Sequence, residues 1–464
     1  MRIPIKKARH LLAIILVTAG GVPLVAQADE AALTLAQAES LALENNPALA
    51  AAGQRARAMA EVPSQVGSLP DPMLSMNAMN LPVDTFSNTQ EAMTQMQVGL
   101  SQAIPFPGKL GLKEKAARRM AEAATHNQQE YRLLLLRNTR IHWWNLAYLD
   151  KALSIIRHNQ QLLRKLVRIA VTRYKTGKGL QQDVLLAQLE LSKLLERELD
   201  MKASRQREAE ALSAVLGGVP LSALQLPDIE APATAGEALQ QAVPDTALLK
   251  ARARQHRPML LAMLDGVQAA DSRLELARKD YYPDFKLGAA YGFRRGSNAS
   301  GQARPDLASV MFSVELPLYA GSKQHRAVDQ RTAEKVSAEF SRLDAVNRVD
   351  SEIESSASDL SIARDRLQLF EQGILPQARQ TTASMLAGYQ VNKVDFLNLV
   401  RAQLNEFNTD IQYWQQVSAF HQAEARLAAA SGLDDLIPPR VDPLRKKQTG
   451  VLTNQSIQRG MHDE

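Results

Sequence analysis

Apolar and polar side chains alternate along two separate parts of the chain. In the clearer one, residues 285–293 place Phe, Leu, Ala, Tyr and Phe on one parity and Lys, Gly, Ala and Gly on the other. A turn-rich segment follows, and residues 309–316 alternate again. A period of two is typical of a β-strand whose two faces meet different environments. The pattern predicts a β-hairpin over about residues 284–317.

A weaker copy of this pattern lies earlier, over about residues 73–104. Residues 74–78 and 96–104 alternate in the same way on either side of a loop. Each run has about nine or ten residues, the length that a tilted strand needs to cross a bilayer. Alternation alone leaves two ordinary soluble hairpins as an alternative.

Most of the remaining chain has helical character. Residues 109–176 contain no proline and predict a helix roughly 100 Å long at 1.5 Å per residue. A turn at residues 175–179 leads into a returning helix over about 182–216. The same elements recur in the second half of the chain. A long helix is predicted over 322–387, with a kink at Pro376, and a returning helix from Phe396 to Gly432.

Proline spacing indicates a tandem repeat. Pro47 and Pro72 are separated by 25 residues, as are Pro258 and Pro283. We therefore predict a first repeat over residues 29–216 and a second over 246–432. The proline-rich segment 217–245 would be a linker, and the polar, basic residues 433–464 a flexible tail.

The N-terminus has the pattern of a secretory signal peptide over residues 1–28. Four basic residues precede a short apolar run, which ends in Ala26-Gln27-Ala28. Without these four residues, the formal net charge falls from +6 to +2. The basicity is thus mainly a targeting feature, which removes the main support for nucleic-acid binding.

Residue types exclude several other function classes. The chain has no cysteine, so it forms neither a disulfide nor a lipid-modified cysteine after the cleavage site. No apolar run of 18 residues follows Asp29, so a helical membrane span is not expected. If the mature protein enters a membrane, it does so as β-strands. We find no nucleophile motif and no phosphate-binding loop. The sequence predicts no enzyme activity and no cofactor.

Metal binding by the chain itself is not predicted either. The eight histidines show no spaced pair of ligand type. Thioethers select soft metals, but strand residues three apart face opposite sides, so packing or lipid-facing positions are preferred for the methionines. The methionines near the first hairpin are Met73, Met76, Met79, Met93 and Met96.

Long helix pairs and open sheet edges both need neighbours. Four strands with two free edges cannot lie in lipid, whereas three copies supply a closed 12-stranded barrel. A threefold ring also aligns the helix pairs into a tube. The predicted fold is mainly α with a transmembrane β-barrel, trimeric, with the barrel continued by an α-helical tube.

Specific motifs support this arrangement. Tyr174-x-x-Gly177 and Tyr389-x-x-Asn392, each followed by an Ala-Gln pair, together with the proline-bounded hairpins, resemble the outer-membrane efflux (TolC) family. The resemblance covers about residues 33–432. Residues 69–72 and 102–109 are similar to the branch that works with heavy-metal resistance-nodulation-division pumps.

The resemblance implies a homotrimeric channel in the outer membrane of a Gram-negative bacterium, with its tube in the periplasm. A periplasmic adaptor (membrane fusion protein) and an inner-membrane resistance-nodulation-division pump would dock at the end of the tube. The channel would be a passive exit duct for substrates, with heavy-metal cations as candidates. The alternative is a soluble periplasmic coiled-coil adaptor or scaffold protein.

The two interhelical turns should form the periplasmic mouth. The candidate gate and docking residues are Tyr174, Gly177, Lys178, Asp183, Tyr389, Asn392, Lys393, Asp395 and Asn398. Helix capping is the alternative for four of them: C-capping for Gly177 and Asn392, and N-capping for Asp183 and Asp395.

A gate is the second role that these residues could have. The family often narrows its pore with acidic side chains repeated around the threefold axis. In this chain the position equivalent to Asp183 in the second repeat is Asn398, which carries no charge. Salt bridges between Lys393 and Asp395 of neighbouring subunits are therefore the gate hypothesis.

Overall fold

The two predicted hairpins pair with each other in one antiparallel sheet. In the computed structural model, which describes residues 32–220, 225–228, 244–298 and 300–436, the strand order is β1-β2-β3-β4. The strands are β1 (Met73–Met79), β2 (Gln95–Ile104), β3 (Asp284–Phe293) and β4 (Leu307–Glu315). The predicted signal peptide, most of the linker and nearly all of the tail lie outside the described residues.

The two faces of the sheet differ as the alternation predicts. The register aligns Met76, Val98 and Tyr291 in one row, and all three are exposed. The other face carries Ser75 and Gly99 in the next row. An exposed apolar face on one side of a sheet, with a polar face on the other, marks a surface that lies against something other than water.

The methionines of β1 divide between these faces. Met76 lies in the apolar row, whereas Met73 and Met79 share the face of Ser75 and Asn77. A single stripe of three methionines does not form, as the sequence predicts. Met73 and Met79 lie with polar residues because strand residues two apart share a face, and the packing or lipid-facing role of the methionines stays a prediction.

Ten α-helices make up most of the remaining described chain. They are α1 (Leu35–Asn45), α2 (Pro47–Ala60), α3 (Val62–Gly67), α4 (Lys109–Lys175), α5 (Gln181–Val215), α6 (Thr246–His256), α7 (Pro258–Lys279), α8 (Gln324–Leu369), α9 (Leu375–Gln390) and α10 (Phe396–Ala430). Helix α4 is central and packs against α5, α7 and α10. Among the described residues, every helix is too short or too polar to span a membrane.

The second long helix is interrupted near Pro376. A π turn, Phe370–Ile374, separates α8 from α9. Proline lacks the N–H that would bond the carbonyl one turn earlier, which favours such an irregularity. Tyr413 donates a hydrogen bond to Glu371 in this turn over 3.0 Å, and burial raises the pKa of Tyr413. Helix α9 continues to Gln390, three residues beyond the predicted end.

A buried lysine joins the sheet to the long helices. Lys109, the first residue of α4, is 5% exposed, and its Nζ lies 2.9 Å from Asp284 and 3.3 Å from Asp280. Phe106 stacks on Tyr282 with ring centroids 4.6 Å apart. The end of the first hairpin is thereby tied to the start of the second.

A second buried charge cluster links four segments of the helical part. Arg257 is 4% exposed and binds Glu130 of α4 at 3.2 Å and Glu352 of α8 at 2.7 Å. It also donates to the carbonyl oxygen of Ala430 over 3.0 Å. Glu130 further accepts from the backbone N–H of Met259 at the start of α7.

Candidate functional site

The two interhelical turns have the same backbone geometry. Gly177 has φ of 71° and Asn392 has φ of 60°, so both lie in the left-handed region. The backbone N–H of Lys178 bonds the carbonyl of Arg173 over 2.8 Å, and that of Lys393 bonds the carbonyl of Gly388 over 2.9 Å. These are the bonds of a helix C-cap. C-capping by Gly177 and Asn392 is confirmed.

The helices that leave the turns begin differently. Asp395 accepts a hydrogen bond from the backbone N–H of Asn398 over 2.7 Å, and the Asn398 side chain donates to the other carboxylate oxygen over 3.1 Å. N-capping by Asp395 is confirmed. The same prediction for Asp183 is wrong. Leu180 occupies the cap position of α5, and Asp183 lies three residues further on, 3.5 Å from the backbone N of Leu180.

The two tip tyrosines have opposite environments. Tyr174 is 48% exposed, whereas Tyr389 is only 8% exposed. The Tyr389 ring packs against Phe396, with centroids 5.8 Å apart, in the apolar cluster between α4, α5, α9 and α10. Tyr174 is thus available for contact with another molecule, and Tyr389 supports the tip from inside.

Arg173 connects the two turns. Its guanidinium lies 4.8 Å from the centroid of the Tyr389 ring and donates a hydrogen bond to the Asn392 side chain. The sequence analysis missed this residue. A signal was present, since the position before the tip tyrosine is Arg173 in one repeat and Gly388 in the other.

At two equivalent positions of the turns, one turn has a large residue where the other has glycine. A Cβ on Gly179 would lie 2.9 Å from the Cβ of Arg173, and a Cβ on Gly388 would lie 2.6 Å from Val394. Gly179 and Val394 occupy equivalent positions, as do Arg173 and Gly388. Each turn therefore pairs one large residue with one glycine, and only the first turn presents an arginine.

We expect Gly388→Ala to destabilise the second turn, because contacts under 3.0 Å force the β-branched Val394 to move. Protease cleavage within residues 388–396 should become several times faster. Val394→Ala in the same chain should restore the parental rate by removing the clashing methyl group. Equal cleavage of Gly388→Ala and the parent would contradict this packing.

The charged residues of the tip have no ionic partners in the part of the chain that the structure describes. Lys178, Lys393 and Asp395 form no ion pair among the described residues, and both lysines are exposed. Salt bridges between Lys393 and Asp395 of neighbouring subunits stay a prediction. In the part of the chain that the structure describes, no group of three acidic, histidine or cysteine side chains is placed to hold a metal ion.

Comparison with known proteins identifies the family. Residues 38–218 and 249–433 match the outer membrane efflux protein family. The chain belongs to this family. The predicted efflux role is thereby confirmed, and the match also favours a channel over the alternative of a soluble adaptor or scaffold.

Individual relatives agree with this family. The chain is 23% identical to the cobalt-zinc-cadmium resistance protein CzcC of Cupriavidus metallidurans over 411 residues, covering 87% of this chain and 90% of CzcC. Among solved structures, it resembles VceC of Vibrio cholerae with a TM-score of 0.71 and 20% identity, covering 86% of this chain and 96% of VceC. It resembles CusC with a TM-score of 0.71 and 17% identity, covering 87% and 93% of the two chains.

Proposed function

We propose that this efflux protein is the passive outer-membrane exit duct of a tripartite system and acts as a homotrimer. The observation that carries the proposal is the sheet. Among the described residues it has two unpaired edges, at β1 and β4, and an exposed apolar face, and it is joined directly to the long helices through Lys109. Three copies would close twelve strands into a barrel without free edges.

The helical part would form the periplasmic tube. Helix α4 has 67 residues and thus a length of about 100 Å. The two repeats, residues 29–216 and 246–432, would each contribute one antiparallel helix pair to the wall. The turns containing Gly177 and Asn392 lie at the end remote from the sheet, which supports a periplasmic mouth there and an outer-membrane location for the sheet.

The proposed partners follow from the family. A periplasmic adaptor would hold the tip, and an inner-membrane resistance-nodulation-division pump would supply the energy, so the chain itself performs no catalysis. Heavy-metal cations are the proposed substrates, because the relative CzcC is a cobalt-zinc-cadmium resistance protein. The gate and docking residues would be those of the two turns.

Deleting the gene from its native bacterium tests the substrate. The strain should accumulate more cobalt, zinc or cadmium than its parent when these ions are measured by mass spectrometry. Expression of the full chain from a plasmid should restore the parental content. Unchanged content of all three metals would contradict the heavy-metal proposal, while leaving the channel to be tested by conductance.

Two substitutions of Asp395 distinguish a gating role from a purely capping role. We expect Asp395→Ala to open the pore, because it removes both the N-cap, worth about 1 kcal/mol, and the carboxylate. Asp395→Asn keeps a capping oxygen but loses the charge. Single-channel recordings distinguish the two roles. A change of conductance in both variants supports salt bridges to Lys393, whereas a change in Asp395→Ala alone assigns the effect to capping. Parental conductance in both would contradict any gating role.

A further inference from the structure

The tip of the helical tube is strongly basic, although the whole chain is nearly balanced. Residues 164–183 and 380–401 contain eight basic and two acidic residues, against 55 and 49 in the full sequence. Seven of the basic side chains are exposed and form no ion pair among the described residues. They are Arg164, Lys165, Arg168, Lys175, Lys178, Lys393 and Arg401.

Further up the tube, several basic side chains have acidic partners. Arg157 lies 3.5 Å from Glu198, Lys193 lies 2.8 Å from Glu190, and Arg379 lies 3.2 Å from Asp410. At the tip, Arg173 is occupied with Tyr389 and Asn392. Unpaired positive charge is therefore clustered at the end of the tube, where like charges repel and lower the stability of the free protein.

The basic residues follow a line along α4 and extend beyond the apex of the turn. Arg164, Arg168 and Lys175 are spaced by four and seven residues, which places them on one stripe of the helix. From Arg164 to Lys175 the helix rises about 16 Å. This is about twice the distance over which charges act at physiological salt.

We propose that this basic stripe is the docking surface for a partner protein whose elongated, helical end carries clustered aspartate and glutamate residues. The inference rests on the proposed function, in which an adaptor holds the tip, and specifies the chemistry of that adaptor. Exposed Tyr174, Leu180 and Val391 lie at the apex and supply apolar contact area beside the charges. Complementary charge would accelerate the encounter and reject partners with basic ends.

The length of the stripe favours a protein over the other candidate surfaces. A flat anionic membrane would meet the apex, at Lys178 and Lys393, but would not reach Arg164 along the flank of α4. A second channel that approached end to end would present the same basic tip and be repelled. An elongated partner lying beside α4 contacts both the flank and the apex.

Binding of a designed helical hairpin to the full-length protein in detergent tests the proposal. One hairpin carries glutamates in its last turns, and a matched hairpin carries glutamines at the same positions. At 50 mM salt the glutamate hairpin should bind at least about tenfold more tightly, because several individually weak exposed ion pairs add together. This preference should largely disappear at 300 mM salt.

Variants locate the contact. Arg164→Glu combined with Arg168→Glu should weaken binding of the glutamate hairpin at least about tenfold. Arg366→Glu, an exposed arginine on α8 away from the tip, is the matched control and should bind like the parent. All variants are first checked for parental helix content and oligomeric mass.

Several results would overturn the proposal. Equal binding of the two hairpins would do so, as would an equal loss in the control variant. Parental hairpin binding by the flank variant, together with loss of anionic-vesicle binding in Lys178→Glu/Lys393→Glu, would assign the tip to lipid instead. If the protein still forms conducting trimers, any of these results overturns only the docking proposal. Absence of trimers would contradict the proposed duct itself.

Discussion

Replacement of Arg257 by alanine is expected to lower the stability of the protein by about 3–5 kcal/mol, the cost of breaking a buried ion pair on one side. The substitution leaves Glu130, whose side chain is only 10% exposed, without its main counter-charge. It also removes the donor to the carbonyl oxygen of Ala430. Thermal unfolding in detergent, followed by helical circular dichroism, should show a clear drop in melting temperature.

Two further variants make this prediction specific. Arg252→Ala removes an exposed arginine of α6 that has no ion pair in the described structure, and it should leave the melting temperature nearly unchanged. Glu130→Gln added to Arg257→Ala should recover part of the loss, because it removes the uncompensated charge. A melting temperature of Arg257→Ala equal to that of Arg252→Ala would show that the cluster contributes little.

Replacement of Arg173 by alanine is expected to release the two turns of the tip from each other. The cation–π contact with Tyr389 and the hydrogen bond to Asn392 together account for about 1–2 kcal/mol per subunit. A change of this size shifts a two-state equilibrium about 5- to 30-fold. In planar bilayers, the purified variant should spend correspondingly more time in its open state than the parent.

The controls for Arg173 separate geometry from charge. Lys175→Ala removes a positive charge two residues away on the same helix and should leave the open fraction close to that of the parent. Arg173→Lys keeps the charge but loses the planar group that stacks on the ring and reaches Asn392. It should behave like Arg173→Ala. An open fraction in Arg173→Ala equal to the parental one would exclude this contact as a latch.

The elements of the fold could be predicted because their signals are local. Strand alternation located both hairpins, and the absence of proline from 109 to 175 predicted one uninterrupted helix. The left-handed residues Gly177 and Asn392 follow from the same logic, because a helix needs such a stop.

The contacts across the tip could not be predicted in this way. Arg173 reaches Asn392 over a separation of 219 residues, and the two meet because α4 packs against α10, the helix that follows the Asn392 turn. The role of Asp183 was misjudged because Asp395 and Asp183 look alike in sequence. Their equivalents in the other repeat are Leu180 and Asn398, so only one of the two acids occupies a cap position.

Arg257 shows the same limit in the core. Its partners come from α4 and α8 and from the end of α10, at separations of 95 to 173 residues. Nothing in the local sequence around Pro258 distinguishes this arginine from the exposed Arg252 and Arg254. Burial of a charge is a property of the assembled helices and is visible only in the structure.

The oligomeric mass of the mature protein in its membrane tests the duct most directly. Inner and outer membranes are separated, the protein is extracted with detergent, and the mass of the protein part of the particle is measured by light scattering. The duct requires three chains per particle, found in the outer-membrane fraction and dependent on detergent for solubility. A monomer or dimer that is soluble without detergent would contradict it, because four strands with open edges cannot then form a closed barrel.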